Sequence, residues 1–216
     1  MHVITGIPPM NYEKKAKKLM HGYVGVKFKS LQRSTELPIK VNDYYIQFKQ
    51  NCDRLKNYNM TPENGGNVSI RHENGFIISA SGANLGIIEK KELTFVEQCD
   101  VGDELVIYHG GIKPSSESIM HWLIYKNYME TKAIIHAHDE FATRTELLSG
   151  EIEESEHEEP YGTVELADMA ICTFKKAKRI IVLKNHGYVA IGPDIHSACD
   201  MVIDTHLHLV GKQKNR

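Results

Sequence analysis

The sequence predicts an α/β fold in which helices cover a sheet. Short apolar runs typical of buried strands, such as Ala133-Ile134-Ile135 and Ile180-Ile181-Val182-Leu183, alternate with longer segments whose apolar residues recur at helical spacing. A third observation is the turn Glu73-Asn74-Gly75, because Asn-Gly between two strand-like segments is a strong hairpin signal. Strands mixed with helices of this length indicate one sheet with helices packed against it.

The individual elements follow from periodicity and capping residues. The predicted helices are 43–58, 115–129, 140–148, 163–179 and 194–210. The predicted strands are 67–72, 76–81, 105–108, the run that leads into His136, 180–183 and 188–191. Asp43, Asp139 and Asp194 each stand where an N-cap is expected. Residues 151–159 hold six glutamates and are predicted to form a solvated loop.

Composition limits the classes of protein that this chain can be. Its 216 residues, 41% of them apolar, predict one domain over residues 43–216, after an extension at 1–42 that forms an arm or a short helix. A net charge of -2 without a long basic face argues against nucleic acid as a partner. No apolar run approaches the roughly 20 residues of a membrane span. The dispersed cysteines predict reduced, mostly buried thiols of a cytoplasmic protein.

Histidines at the ends of two predicted strands are the strongest chemical signal. His136 and His138 flank one residue, and residues i and i+2 of a strand point to the same face, so both imidazoles can reach one metal ion. His186 ends a second apolar run and is followed by Gly187, where a turn can direct its ring to the same sheet edge. Three histidines leave a coordination position open, which is typical of catalytic zinc. Manganese, iron or cobalt fit the same ligands.

Polar residues elsewhere supply a candidate base and an anion site. Glu117, at a predicted helix start, is either a general base near the metal or an ordinary first-turn carboxylate. Glu117 and His121, four residues apart, are an alternative metal pair. The small polar turns can each bind an anion through N–H and hydroxyl groups, or can be turns only. These turns are Gly65-Gly66-Asn67, Ser81-Gly82 and Ser115-Ser116.

Five ordered segments over roughly residues 45–210 resemble the class II aldolase/adducin family, which includes fuculose-phosphate aldolases and ribulose-phosphate epimerases. The segments are Gly66-Asn67-Val68-Ser69-Ile70-Arg71, Ile78-Ser79-Ala80-Ser81-Gly82, Pro114-Ser115-Ser116-Glu117, Ala133-Ile134-Ile135-His136-Ala137-His138 and Leu183-Lys184-Asn185-His186-Gly187. The resemblance implies a three-layer α/β/α sandwich around a mixed, largely antiparallel sheet. It also implies a homotetramer with active sites between subunits.

The same resemblance implies a zinc-dependent aldehyde-lyase, an aldolase that cleaves a small phosphorylated ketose through an enediolate. Zinc would be held by His136, His138 and His186, and Glu117 would be the acid/base. The substrate phosphate would be held by Gly66, Asn67, Ser81, Gly82, Ser115 and Ser116.

Departures from the family pattern keep other functions open. The stretch between His138 and His186 is shorter than in the sugar-phosphate aldolases, and no tyrosine follows Tyr188 to act as a proton donor, so Tyr161 is the proposed substitute. The alternatives are a sugar-phosphate dehydratase or epimerase, an enzyme of a phosphate-free hydroxy-keto acid, and a non-catalytic adducin-like interaction module. Glu117 favours an aldolase or dehydratase, since the epimerases typically carry aspartate there.

Overall fold

The computed structural model describes residues 28–62, 64–148 and 150–214. Nine strands form one sheet in the order β1-β5-β4-β3-β2-β6-β9-β8-β7. Their bounds are β1 Lys29–Ser34, β2 Asn67–His72, β3 Gly75–Ser79, β4 Leu93–Asp100, β5 Leu105–His109, β6 Ala133–Ala137, β7 Glu153–Glu154, β8 Ile180–Leu183 and β9 Gly187–Gly192. Strand pairs are antiparallel except β1 with β5 and β7 with β8, at the two edges. The predicted mixed, largely antiparallel sheet is therefore confirmed.

Helices cover both faces of this sheet. Their bounds are α1 Asn42–Asn57, α2 Ser118–Asn127, α3 Thr145–Leu148, α4 Val164–Phe174 and α5 Ile195–Lys214. Successive strand residues supply two separate cores, as the two-residue strand period requires. Ile135 of β6 belongs to the core with α1 and α5, and Ile134 belongs to the core with α2 and α4. The chain thus has the predicted three layers, and no helix in the described ranges is long and apolar enough to cross a membrane.

Most elements lie where periodicity predicts them. Phe48, Cys52 and Leu55 are the buried stripe of α1, and the hairpin pairs Ser69 with Ile78 through the Asn-Gly turn. Three of the four cysteines are buried and all four are unpaired. Asp194 accepts a hydrogen bond from the Ser197 N–H and so caps α5 as expected, although that helix continues four residues past the predicted end at 210.

Two strands were not predicted, and one predicted loop contains a strand. β4, Leu93–Asp100, carries Gln98 and Asp100 on exposed positions, and these polar residues obscure its strand pattern. β1 lies inside the stretch that was predicted as an extension to residue 42, while residues 1–27 lie outside the described part of the chain. The glutamate-rich loop contains β7, which pairs with β8 at the sheet edge.

Helix ends differ most from the predictions. The N-cap of α1 is Val41, so Asp43 lies in the first turn instead. The predicted helix 140–148 is reduced to α3, because Asp139 is tied to the core by Tyr188 and His206 and the chain turns after it. The predicted helix 163–179 ends at Phe174, the last fully buried apolar residue before a basic run in which Ala177 is only partly buried.

Candidate active site

The two histidines of the His136-Ala137-His138 segment face the same point, as the strand period predicts. The Nε2 atoms of His136 and His138 lie 3.1 Å apart. His136 also lies directly opposite Asn67 of β2 in the sheet register. The neighbouring Gly66 has a φ of 80°, and a Cβ there would meet the His136 carbonyl oxygen at 2.6 Å, so only glycine permits this close approach.

His186 reaches the same point from the turn between β8 and β9. Its ring centroid lies 4.7 Å from that of His136 and 5.0 Å from that of His138. Gly187 follows it, and a Cβ at that position would meet the Ala137 carbonyl oxygen at 2.3 Å. The turn can therefore press against β6 and deliver His186 only because residue 187 has no side chain.

Geometry and proton placement both suit the three histidines to a divalent metal ion. One ligand nitrogen from each lies within 4.8 Å of the other two, and they are the group with metal-ligand potential within the described residues. Zinc–nitrogen bonds of about 2.05 Å in a tetrahedron separate neighbouring ligands by roughly 3.3 Å, close to the separation of the first pair. The Nδ1–H of His136 donates to the Tyr188 carbonyl oxygen over 2.8 Å, which leaves Nε2 as the free lone pair.

Burial keeps His136 and His138 neutral, as metal ligation requires. Desolvation, together with the neighbouring imidazoles, holds the pKa of His136 well below its ordinary value. The same causes, burial first and His186 next, lower the pKa of His138 to about 4. At neutral pH both rings therefore present unprotonated nitrogens.

Glu117 lies against the histidines as a buried carboxylate. It is the N-cap of α2 and makes no side-chain cap bond, so its carboxylate turns toward the sheet and not toward the helix backbone. Its Oε2 lies 3.3 Å from His136 Nε2 and accepts a hydrogen bond of 2.7 Å from Asn67 Nδ2. Its Oε1 lies 3.5 Å from His186 Nε2 and has no hydrogen-bond partner among the described residues. That oxygen is directed at the metal-binding group.

The alternative metal pair of Glu117 and His121 is not formed. His121 Nδ1 instead contacts Ser69 Oγ at 2.7 Å, and His121 is not part of the metal-binding group within the described ranges.

A cavity of about 280 Å³ is lined by Glu117 and by every residue of the predicted phosphate-binding set. These are Gly66, Asn67, Ser81, Gly82, Ser115 and Ser116, and they share the cavity with His138 and His186. The Ser81 and Ser115 loops are held together because the Ser81 N–H donates to the Lys113 carbonyl and the Ser115 N–H donates to the Ser79 carbonyl. Three separate turns thus converge at the N-terminus of α2.

Tyr161 lines the same cavity as Ser116 and Glu117. Gly162 follows it with a φ of 70°, and a Cβ at Gly162 would meet the Ser116 carbonyl oxygen at 3.0 Å. His138 and His186 also line a second cavity of about 700 Å³, together with Tyr58, Asn59 and Thr143 among others. These two histidines therefore line both a smaller and a larger cavity.

A buried network behind the histidines was not predicted. The Tyr188 hydroxyl donates to Asp139 Oδ2 over 2.9 Å, and His206 Nδ1 lies 2.8 Å from the same oxygen. Burial and the Asp139 carboxylate raise the pKa of Tyr188, so its hydroxyl stays a donor. Asp139 follows His138 directly, and a carboxylate next to a metal-ligand motif is a sequence signal for such a network. The same position also suits a helix N-cap, so the sequence did not distinguish the two roles.

Comparison with known proteins agrees with this geometry. Residues 47–206 match the family described as Class II Aldolase and Adducin N-terminal domain. The L-fuculose phosphate aldolase of Methanococcus maripaludis strain C7 is 31% identical over 169 residues, which cover 71% of this chain and 87% of that one. The 3-oxo-tetronate 4-phosphate decarboxylase of Haemophilus influenzae is 27% identical over 62% of this chain and 70% of that one.

A solved structure of an L-fuculose 1-phosphate aldolase shares the fold, with a TM-score of 0.69 at 23% identity over 82% of this chain and 90% of that one. The fold, the histidine group that could hold a metal ion and the sequence match together indicate one class of enzyme. The chain belongs to the class II aldolase/adducin family.

Proposed function

We propose that this protein is a zinc-dependent aldehyde-lyase that cleaves a small phosphorylated ketose. The observation that carries the proposal is the convergence of three imidazoles, a buried carboxylate and a small polar cavity at one place. His136, His138 and His186 would hold the metal ion, with manganese, iron or cobalt as chemical alternatives to zinc. A protein that only used the fold for binding other proteins would need none of these groups.

The phosphate of the substrate would occupy the 280 Å³ cavity. The Ser81, Ser115 and Ser116 hydroxyls would donate to it, Gly66 and Gly82 would let the backbone approach, and the α2 N-terminus would add positive potential. Asn67 would contact both this phosphate and Glu117. Binding the phosphate here places the adjoining carbons beside the histidine group.

Cleavage of a ketose 1-phosphate breaks the bond between carbons 3 and 4. The hydroxyl on carbon 4 loses its proton, the aldehyde leaves, and the electron pair stays on carbon 3 as an enediolate. Glu117 would return a proton to carbon 3, which completes dihydroxyacetone phosphate. A bound divalent ion would supply stabilisation of the negative charge that develops on the substrate oxygens.

Tyr161 would accept the proton that the carbon 4 hydroxyl loses as it becomes the aldehyde oxygen, and would donate it back in the reverse reaction. Tyr161 lines the same cavity as Glu117, His138 and His186, which supports this role. We further propose that the protein works in the cytoplasm as a homotetramer whose subunits meet near the active site.

Turnover of a panel of ketose 1-phosphates by metal-loaded protein tests the proposal, with wild type compared with Glu117→Gln. The amide keeps the shape of the carboxylate and loses its proton chemistry, so cleavage should fall by about 100-fold or more. Adding a 3-oxo acid phosphate to the panel tests the decarboxylase chemistry of the Haemophilus relative. Absence of stoichiometric divalent metal together with absence of turnover would instead support a binding module.

A further inference from the structure

The side chains of β2 and α2 form a regular series of contacts that begins at Glu117. Asn67 Nδ2 donates to Glu117 Oε2 over 2.7 Å, and Ser69 Oγ contacts His121 Nδ1, also over 2.7 Å. One turn further on, the Arg71 guanidinium lies 4.5 Å from the centroid of the Tyr125 ring. We name these three contacts the β2–α2 ladder.

The ladder is possible because strand and helix repeats have nearly the same length here. Two strand residues advance about 6.7 Å and four helix residues advance about 6.0 Å. Alternate residues of β2 therefore meet every fourth residue of α2 without a change of register. The contact next to that of Glu117 is the one between Ser69 and His121.

His121, the helix member of that second contact, lies wholly within the protein. It is 0% exposed, and its ring stacks against Phe76 with centroids 6.2 Å apart. Ser69 Oγ also lies 2.8 Å from the Tyr125 hydroxyl, so one serine joins two residues of α2. The Nε2 atom of His121 is buried and has no hydrogen-bond partner among the described residues, a costly arrangement for a residue with only a packing role.

We propose that His121 is a positioning residue for Glu117, which it serves by binding Ser69 and thereby holding the first turn of α2 in register with β2. This inference rests on the proposed role of Glu117 as the acid/base. The effect is transmitted through the helix, because Glu117 and His121 are one turn apart and the His121 N–H donates to the Glu117 carbonyl over 3.1 Å. Burial lowers the pKa of His121 to about 3, so the contact with Ser69 is between neutral groups at working pH.

Two substitutions of His121 distinguish the role of Nδ1 from that of Nε2. The side-chain amide of Asn overlays Nδ1 and can still reach Ser69, whereas that of Gln overlays Nε2 and cannot. His121→Gln and Ser69→Ala should each lower kcat by about 10- to 100-fold with little change in KM, since misplacement of a catalytic group by about 1 Å has effects of this size. His121→Asn should keep more activity than His121→Gln. The double variant Ser69→Ala/His121→Gln should lose little more than either single variant.

A readout that does not require activity is the side-chain amide of Asn67 in a nitrogen-15 NMR spectrum. It donates to Glu117, so its resonances should move in His121→Gln and Ser69→Ala. The matched control is His109→Gln, which changes a partly buried histidine that contacts Glu97 and lies on β5, separated from β2 by two strands. It should leave both kcat and the Asn67 resonances as in wild type.

The inference is wrong if the two single variants, His121→Gln and Ser69→Ala, fold and keep the wild-type kcat and the wild-type Asn67 resonances. This holds even if both variants have lower melting temperatures. Wild-type protein that turns over no phosphorylated sugar would contradict the proposed function alone. In that case the Asn67 resonances still decide whether His121 positions Glu117.

Discussion

Asn67 donates its side-chain N–H to the Glu117 carboxylate, and the two residues come from different sides of the site, one from β2 and one from the cap of α2. Asn67 also lies opposite His136 in the sheet. This one hydrogen bond therefore connects the candidate acid/base to the strand that neighbours the metal-binding group.

Asn67→Ala should lower kcat/KM by about 10- to 100-fold, because a hydrogen bond to a charged group contributes about 1.5–3 kcal/mol. Steady-state kinetics on the best ketose 1-phosphate measures the loss. Asn74→Ala, in the hairpin turn, is the control and should behave as wild type. An Asn67→Ala enzyme with unaltered kcat/KM would show that Glu117 does not need this partner.

Removal of a single imidazole should weaken metal binding. His136→Ala, His138→Ala and His186→Ala are each expected to purify with less than stoichiometric divalent metal, because each variant lacks one of the three imidazole ligands and its metal affinity falls. Elemental analysis by mass spectrometry measures the metal content. His157→Ala, which changes an exposed histidine paired with Glu159, should retain full metal content. Full metal content in the three ligand variants would count against the site.

The serine hydroxyls of the small cavity should affect binding more than catalysis. Ser81→Ala and Ser116→Ala are expected to raise KM for a phosphorylated ketose by about 10-fold or more with kcat nearly constant, since a contact to the phosphate is equal in ground and transition state. Ser197→Ala, at the start of α5, serves as control. A fall in kcat without a rise in KM would mean that the phosphate lies elsewhere.

Tyr161→Phe should lower kcat by about 100-fold or more while phosphate affinity is maintained, because a general acid–base group contributes about 100- to 10,000-fold. Comparison with Tyr58→Phe separates the two cavities, since Tyr58 lines the larger one. If Tyr58→Phe shows the large loss and Tyr161→Phe does not, the proton donor acts from the larger cavity.

The Asp139 network should contribute to stability. Tyr188→Phe removes one of the donors to Asp139 Oδ2, and the free energy of unfolding should fall by about 1–2 kcal/mol in urea titrations. Tyr44→Phe removes a partly buried hydroxyl that contacts His72 and provides the comparison. Equal decreases in the free energy of unfolding of the two variants would show that the hydrogen bond to buried Asp139 stabilises the fold no more than the contact with His72 does.

Local patterns predicted the parts of the site that local geometry determines. The same-face placement of His136 and His138 follows from the strand period, and the Asn-Gly hairpin follows from its turn chemistry. What could not be predicted depends on contacts between distant segments. Asp139 was expected to begin a helix, but its carboxylate is bound by Tyr188 and His206, from 49 and 67 residues away.

β4 and the end of α4 show the same limit in the fold. The buried face of β4 is interrupted by polar residues, so its pairing with β3 and β5 identifies it better than its own sequence does. The basic run after Phe174 suits the C-terminus of a helix electrostatically, but Ala177 is its one apolar residue and is only partly buried. Packing decided that helix end, as it commonly outweighs propensity.

The most direct test of the metal-dependent lyase site is a crystal structure of the zinc-loaded protein with phosphoglycolohydroxamate, an enediolate mimic, with data collected at the zinc absorption edge. The anomalous peak should lie among the Nε2 atoms of His136 and His186 and a ring nitrogen of His138, with the phosphate between Ser81 and Ser116. A zinc peak away from these three histidines, or a phosphate outside that cavity, would contradict the proposed site.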